Sequence, residues 1–183
     1  SEDCMRLNVW TPSIADGKKR PVMFWIHGGG FTAGSSQELP SYDGESLAKK
    51  GDIVVVSINH RLNILGFLDL SAYGEKYKQS ANLSVLDMKS ALEWVKTNIS
   101  NFGGDPNNVT IFGQSGGGAK VNTLMAMPTA KGLFHKAINQ SGSFRTAMLE
   151  KTETQAIAAE VMNALNLKAD EVDKIQKIPF EQL

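Results

Sequence analysis

The run Gly113-Gln114-Ser115-Gly116-Gly117 sets a serine between glycines, after the apolar stretch Val109-Thr110-Ile111-Phe112 and before a segment with helical spacing. A serine on so sharp a strand-to-helix turn is pushed outward, and the flanking glycines allow the turn without Cβ clashes. The helix that follows would aim unbonded N–H groups and its positive dipole end at the serine, which suits an oxyanion forming there. The chemistry on offer is nucleophilic attack by Ser115 on a carbonyl. A second cluster, His27-Gly28-Gly29-Gly30, ends another apolar run, Val22-Met23-Phe24-Trp25-Ile26. Its N–H groups have no side chains in the way, so with the serine turn it could complete an oxyanion hole built from two separate elements. Neither cluster is followed by Gly-Lys-Ser/Thr, which argues against a phosphate-binding P-loop.

The elements needed to position these residues are legible as an alternation. Residues 22–26 and 109–112 read as short buried strands, and 53–58, β-branched on both faces, as a central strand of a parallel sheet. Apolar residues from Leu83 to Ile99 recur at steps of three and four, predicting a long amphipathic helix. Further helices are expected after the glycine cluster to about Met127, stopped by Pro128, and over 152–165, with a strand over 136–140. Residues 31–43 and 101–108 carry turn formers and predict loops. Strand and helix in alternation predict an α/β fold, a mostly parallel sheet with crossover helices.

Composition narrows the function classes. The 183 residues carry 19 basic and 19 acidic side chains, a balance that argues against nucleic-acid binding by broad phosphate neutralisation and against a polybasic membrane surface. No apolar run approaches the roughly 20 residues of a membrane span. Cys4 has no partner for an internal disulfide, and no Cys/His cluster has metal-ligand spacing. Neither a metal nor a cofactor is expected. The chain opens at Ser1 with no visible signal peptide and is read as a piece of a longer one, with cytoplasmic and secreted routes both compatible.

With both glycine clusters in place, the chain resembles the type-B carboxylesterase family of α/β-hydrolases over roughly its first 144 residues. The resemblance is carried by Glu2-Asp3-Cys4-Met5-Arg6-Leu7-Asn8-Val9, Trp25-Ile26-His27-Gly28-Gly29-Gly30-Phe31 and Asn59-His60-Arg61-Leu62. It continues through Phe102-Gly103-Gly104-Asp105-Pro106, Val109-Thr110-Ile111-Phe112-Gly113-Gln114-Ser115 and Gln140-Ser141-Gly142. It implies an incomplete α/β-hydrolase domain over residues 1–183 and a serine carboxylic-ester hydrolase working through an acyl-enzyme on a small-molecule ester. Ser115 would be the nucleophile, and the N–H groups of Gly29, Gly30 and Gly116 the oxyanion hole. Glu2 and Cys4 match positions whose partners would precede Ser1, and Ser141 matches a serine often found behind the catalytic triad.

The departures from the family pattern carry information of their own. Gln114 stands where many relatives have Glu, Gly116 where a small Ala is usual, and Lys120 where a Ser is common. The missing carboxylate lowers the expectation of a cationic, choline-type substrate. In α/β-hydrolases an acid and then a histidine follow the serine. His135 is the sole histidine after Ser115, and it, His27 and His60 match structural positions of relatives. The acid and histidine are therefore expected downstream of Leu183. Two alternatives stay open at this point: a catalytically silent interaction domain, and an amidase or peptidase on the same fold.

Overall fold

The computed structural model describes residues 3–14, 16–143 and 149–183; Glu2 lies outside them. The chain divides into two compact units, one of residues 5–60 and 85–144, the other of residues 1–4, 61–84 and 145–183.

The first unit is built on a five-stranded sheet. In chain order its elements are β1 (Arg6–Trp10), β2 (Arg20–Ile26), α1 (Glu45–Gly51) and β3 (Val54–Asn59). Beyond the second unit's α2 (Asn63–Phe67) come α3 (Leu83–Asn98), β4 (Gly104–Gln114), α4 (Gly116–Ala126) and β5 (Lys136–Gln140). The strand order is β1-β3-β2-β4-β5. β1 runs antiparallel to β3, and the other three pairings are parallel. Alternate residues of the central strands, Val22, Phe24, Ile26, Val56, Ile58, Val109 and Ile111, face a core shared with Met88, Leu92 and Val95 of α3, Ile99 just beyond it, and Val121 and Leu124 of α4. That period of two against a helical period of three and four fixes which face each element buries.

Residues 101–108 depart from the loop expectation. Ile99–Phe102 forms a 3-10 turn, Gly103 closes it in the left-handed region with φ +76°, and β4 begins at Gly104. The register with β2 jumps between Arg20↔Gly104 and Val22↔Val109. The turn chemistry read at Asp105-Pro106 is therefore present, as a bulge inside a strand. The sequence reading assigned no strand to β1, Arg6-Leu7-Asn8-Val9-Trp10, a five-residue edge segment whose apolar Leu7, Val9 and Trp10 make too short a run to stand out without its pairing to β3. Cys4 is a free, half-buried thiol.

One registration matters most for chemistry. β2 and β4 are parallel neighbours with Ile26 beside Gly113. Their C-terminal ends therefore release His27-Gly28-Gly29-Gly30 and Gln114-Ser115 side by side, at the edge where open α/β sheets bind ligands.

The second unit packs α2 and α5 (Lys151–Ala164), with the 3-10 stretch Ala169–Lys177, around Leu68, Leu70, Tyr77, Ala158, Met162, Val172 and Ile175. Buried Asp69 accepts hydrogen bonds from Thr154 Oγ1 at 2.6 Å and from the Ser71 N–H at 3.1 Å.

Candidate active site

Ser115 sits between β4 and α4 with φ +55° and ψ −122°. A non-glycine residue is held there only where its surroundings over-determine it, at a cost of about 1–3 kcal/mol. The surroundings do so here. The Ser115 N–H donates to the Gln140 carbonyl at 2.8 Å, anchoring the turn to β5, and the Ser115 carbonyl accepts the first bond of α4, from Ala119 at 3.1 Å. Serine at a helix N-cap ordinarily bonds the next turn through its hydroxyl. The Ser115 hydroxyl makes no such cap bond, so it is not spent on the helix, and the residue is part-exposed.

The glycines answer to contact. A methyl group on Gly113 would lie 2.5 Å from the Gly117 carbonyl carbon, and one on Gly117 would lie 2.1 Å from the Ile26 carbonyl oxygen. α4 thus starts with its backbone against the end of β2. Gly28 faces the elbow, its Cβ direction 3.6 Å from Ser115 Cβ. Gly29 and Gly30 both have positive φ, +84° and +62°, the region glycine enters without steric cost. A methyl on Gly116 would lie 2.4–2.6 Å from the backbone of Gly30, so the two predicted halves of an oxyanion hole touch. Among the described residues no acceptor is recorded for the N–H groups of Gly29, Gly30 or Gly116. Gly29 is exposed, and Gly116 is the first residue of a helix whose opening N–H groups have no intrahelical partner.

The three histidines are spoken for by packing. His27 is fully buried, and its Nδ1 lies 2.9 Å from the Gly28 carbonyl, which can only accept, so Nδ1 carries the proton. Burial pushes its pKa below the usual histidine value against the pull of that hydrogen bond, and the charge of Lys120 adds to the depression. Its ring stacks on His60 with centroids 4.7 Å apart. His135 Nδ1 accepts the Val109 N–H at 3.1 Å. Ser141 is exposed, with φ +56°, just past β5, and Gly142 beside it packs against Gly118 and Ala119. Among the described residues no group of three or more His, Cys, Asp or Glu is placed to hold a metal ion, and no helix is long and apolar enough to cross a membrane.

One residue near the site escaped the sequence reading beyond its being a departure. Lys120 is completely buried. Gly117, Val121 and Leu124 of α4 are buried beside it, so the signal lay in the helical period: Lys120 falls on the apolar stripe.

A mostly parallel sheet with a serine elbow between strand and helix, facing a glycine loop from the neighbouring strand, defines the α/β-hydrolase class. The chain belongs to the carboxylesterase family, whose model matches residues 1–181. It is 47% identical over 183 residues to the para-nitrobenzyl esterase of Bacillus subtilis and 42% identical over 182 residues to the phenmedipham hydrolase of Pseudarthrobacter oxydans. Among solved structures it matches the Geobacillus stearothermophilus carboxylesterase with a TM-score of 0.93 and 47% identity, covering 100% of this chain and 38% of that one. An esterase of Clostridium hathewayi gives 0.92 and 48%, with 100% and 36% covered. All of this chain aligns with the two curated relatives, but it spans only 36% and 35% of their lengths.

Proposed function

We propose that the protein is a serine carboxylic-ester hydrolase in which Ser115 is the nucleophile and the N–H groups of Gly29, Gly30 and Gly116 form the oxyanion hole. The observation that carries this reading is the Ser115 elbow, strained and with its hydroxyl not used as a helix cap, in contact with a glycine loop in which no acceptor is recorded for the Gly29 and Gly30 N–H groups among the described residues. A base takes the proton from Ser115 Oγ as it attacks the ester carbonyl. The tetrahedral oxyanion is held by the three N–H groups, the alcohol leaves, and water releases the acyl group by the same route in reverse. His27 and His135 use Nδ1 in backbone contacts and His27 stacks on His60, which supports the reading that the histidine and its acid are supplied by the remainder of the full-length protein. The esterase names of the relatives support the ester class.

The direct test is intact-mass analysis of the full-length protein after exposure to a fluorophosphonate. One adduct, mapping to the peptide that contains Ser115, is the expected result. An adduct elsewhere, or none on an enzyme that turns over esters, overturns the assignment.

Charge around the elbow bears on substrate choice. Gln114 is neutral, and the buried charge on α4, Lys120, is positive, so neither favours a quaternary ammonium. Butyryl esters of neutral alcohols are expected to show kcat/KM at least about tenfold above butyrylcholine, since an unpaired like charge costs one or more kcal/mol at such a site. Equal values would remove the charge argument.

A further inference from the structure

A lysine with no exposed surface requires a reason. Removing an ammonium from water is expensive unless it is paired, and Lys and Glu are almost never fully buried otherwise. Lys120 has 0% exposure. Its one recorded acceptor is the His27 carbonyl, at a long 3.4 Å. Its Nζ also stands over the Phe31 ring, 5.7 Å from the centroid, inside the range where an aromatic face attracts a cation. Burial holds its pKa down to about 8, with no acidic partner raising it.

The two contacts share a geometry. His27 and Phe31 are the residues on either side of Gly28-Gly29-Gly30. Helical side chains lean toward the N-terminus of their helix, so Lys120 reaches back along α4 toward the turn that carries Ser115. One side chain therefore touches both flanks of the glycine loop from the helix that begins beside the nucleophile. The loop is packed on one side, where Gly116 meets the Gly30 backbone, and open along the Cβ direction of Gly30, where a methyl would meet nothing within 4 Å. Gly29 and Gly30 both have positive φ, and Lys120 adds a contact at each end of that stretch.

We infer that Lys120 is a positioning residue for the oxyanion loop: it fastens His27 and Phe31 to α4 and keeps a positive charge beside the three donor N–H groups. The inference rests on the reading of Gly29, Gly30 and Gly116 as the oxyanion hole. Where relatives commonly carry a serine at this position, as the family resemblance implies, the loop would be held by other means, and this chain would spend folding stability on catalysis.

The test is made on the full-length enzyme with Lys120→Met, which keeps the length of the side chain and removes its charge, and with Lys120→Ser. Turnover of p-nitrophenyl butyrate is measured alongside inhibition by a trifluoromethyl ketone, whose adduct with the serine carries an oxyanion. In Lys120→Met, kcat is expected to fall by about tenfold or more with KM within about twofold, because loop placement matters only once the oxyanion forms. Ketone affinity should fall by the same factor, while the thermal midpoint at pH 7 holds or rises because a desolvated charge has gone. Unchanged kcat and ketone affinity overturn the inference. So does a loss of turnover that merely follows a lowered midpoint, and so does failure of both variants to fold, since each assigns Lys120 to packing. Ester turnover that survives Ser115→Ala overturns the site reading and this inference together. A Ser115-dependent enzyme indifferent to Lys120 overturns this inference alone.

Discussion

Ser115→Ala in the full-length enzyme is expected to lower kcat by roughly 10⁵ to 10⁶, leaving only the small residual rate that an oxyanion hole and binding supply without a nucleophile. The size of the loss matters, because a serine that merely shaped the turn would cost far less. The backbone supplies an independent second reading. At φ +55° and ψ −122°, alanine is as strained as serine, so Ser115→Ala should leave the thermal midpoint within a degree or two. Glycine tolerates this region, so Ser115→Gly should abolish turnover equally while stabilising the fold by about 1–2 kcal/mol. Kinetics and thermal denaturation of the two variants check both statements. An Ala variant retaining a tenth of the activity would mean that the nucleophile lies elsewhere. A Gly variant no more stable than Ala would mean that the elbow is relaxed.

The sequence reading and the structure agree where one chemical pattern determines both. Residues 136–140 were expected as a strand and form β5; the helix expected over 83–99 is α3, Leu83–Asn98; the one over 152–165 is α5, Lys151–Ala164. In the two helices apolar residues recur at steps of three and four, and α5 opens on a capping box of Glu150 and Glu153. The elbow and the glycine loop were legible because glycine is demanded there by contact, as at Gly113 and Gly117, or by positive φ, as at Gly29. What stayed hidden depends on pairing between distant segments. β1 exists because Arg6–Trp10 lies along β3, with Val9 beside Val56, and no local pattern announces a short edge strand. The bulge at Asp105–Asn108 is likewise set by the partner strand, since only the jump from Gly104 to Val109 restores the register with β2. Lys120 shows the third kind of miss. Its position on the buried stripe of α4 was available from spacing, but a charged side chain is normally assigned to the wet face.

The glycines of the elbow yield a graded prediction, because one added methyl meets a different obstacle at each. At Gly117 it would stand 2.1 Å from the Ile26 carbonyl oxygen and 2.9 Å from that of His27. Both are backbone atoms at the end of a central strand whose neighbours, β3 and β4, hold it on both sides, so the obstacle cannot swing away. Gly117→Ala is therefore expected to cost about 3 kcal/mol or more, the upper end of overpacking penalties, and to appear as poor soluble yield or a midpoint lowered by many degrees. At Gly30 the methyl meets nothing within 4 Å, and the cost is that of alanine at φ +62°, about 1–2 kcal/mol, with the fold retained. At Gly116 the methyl would press 2.4–2.6 Å from Gly30, but the obstacle is the glycine loop itself, which has open space along the Cβ direction of Gly30. The loop yields, the donors of Gly30 and Gly116 separate, and kcat should fall by about tenfold while stability changes little, a fraction of what losing a donor outright costs. Thermal midpoints and kcat for the three variants, measured together, separate a scaffold contact from a conformational one and from a catalytic one. A Gly117→Ala enzyme as stable as the parent would show that α4 can lift off the end of β2, and the rigid abutment that holds Ser115 in its strained turn would not exist.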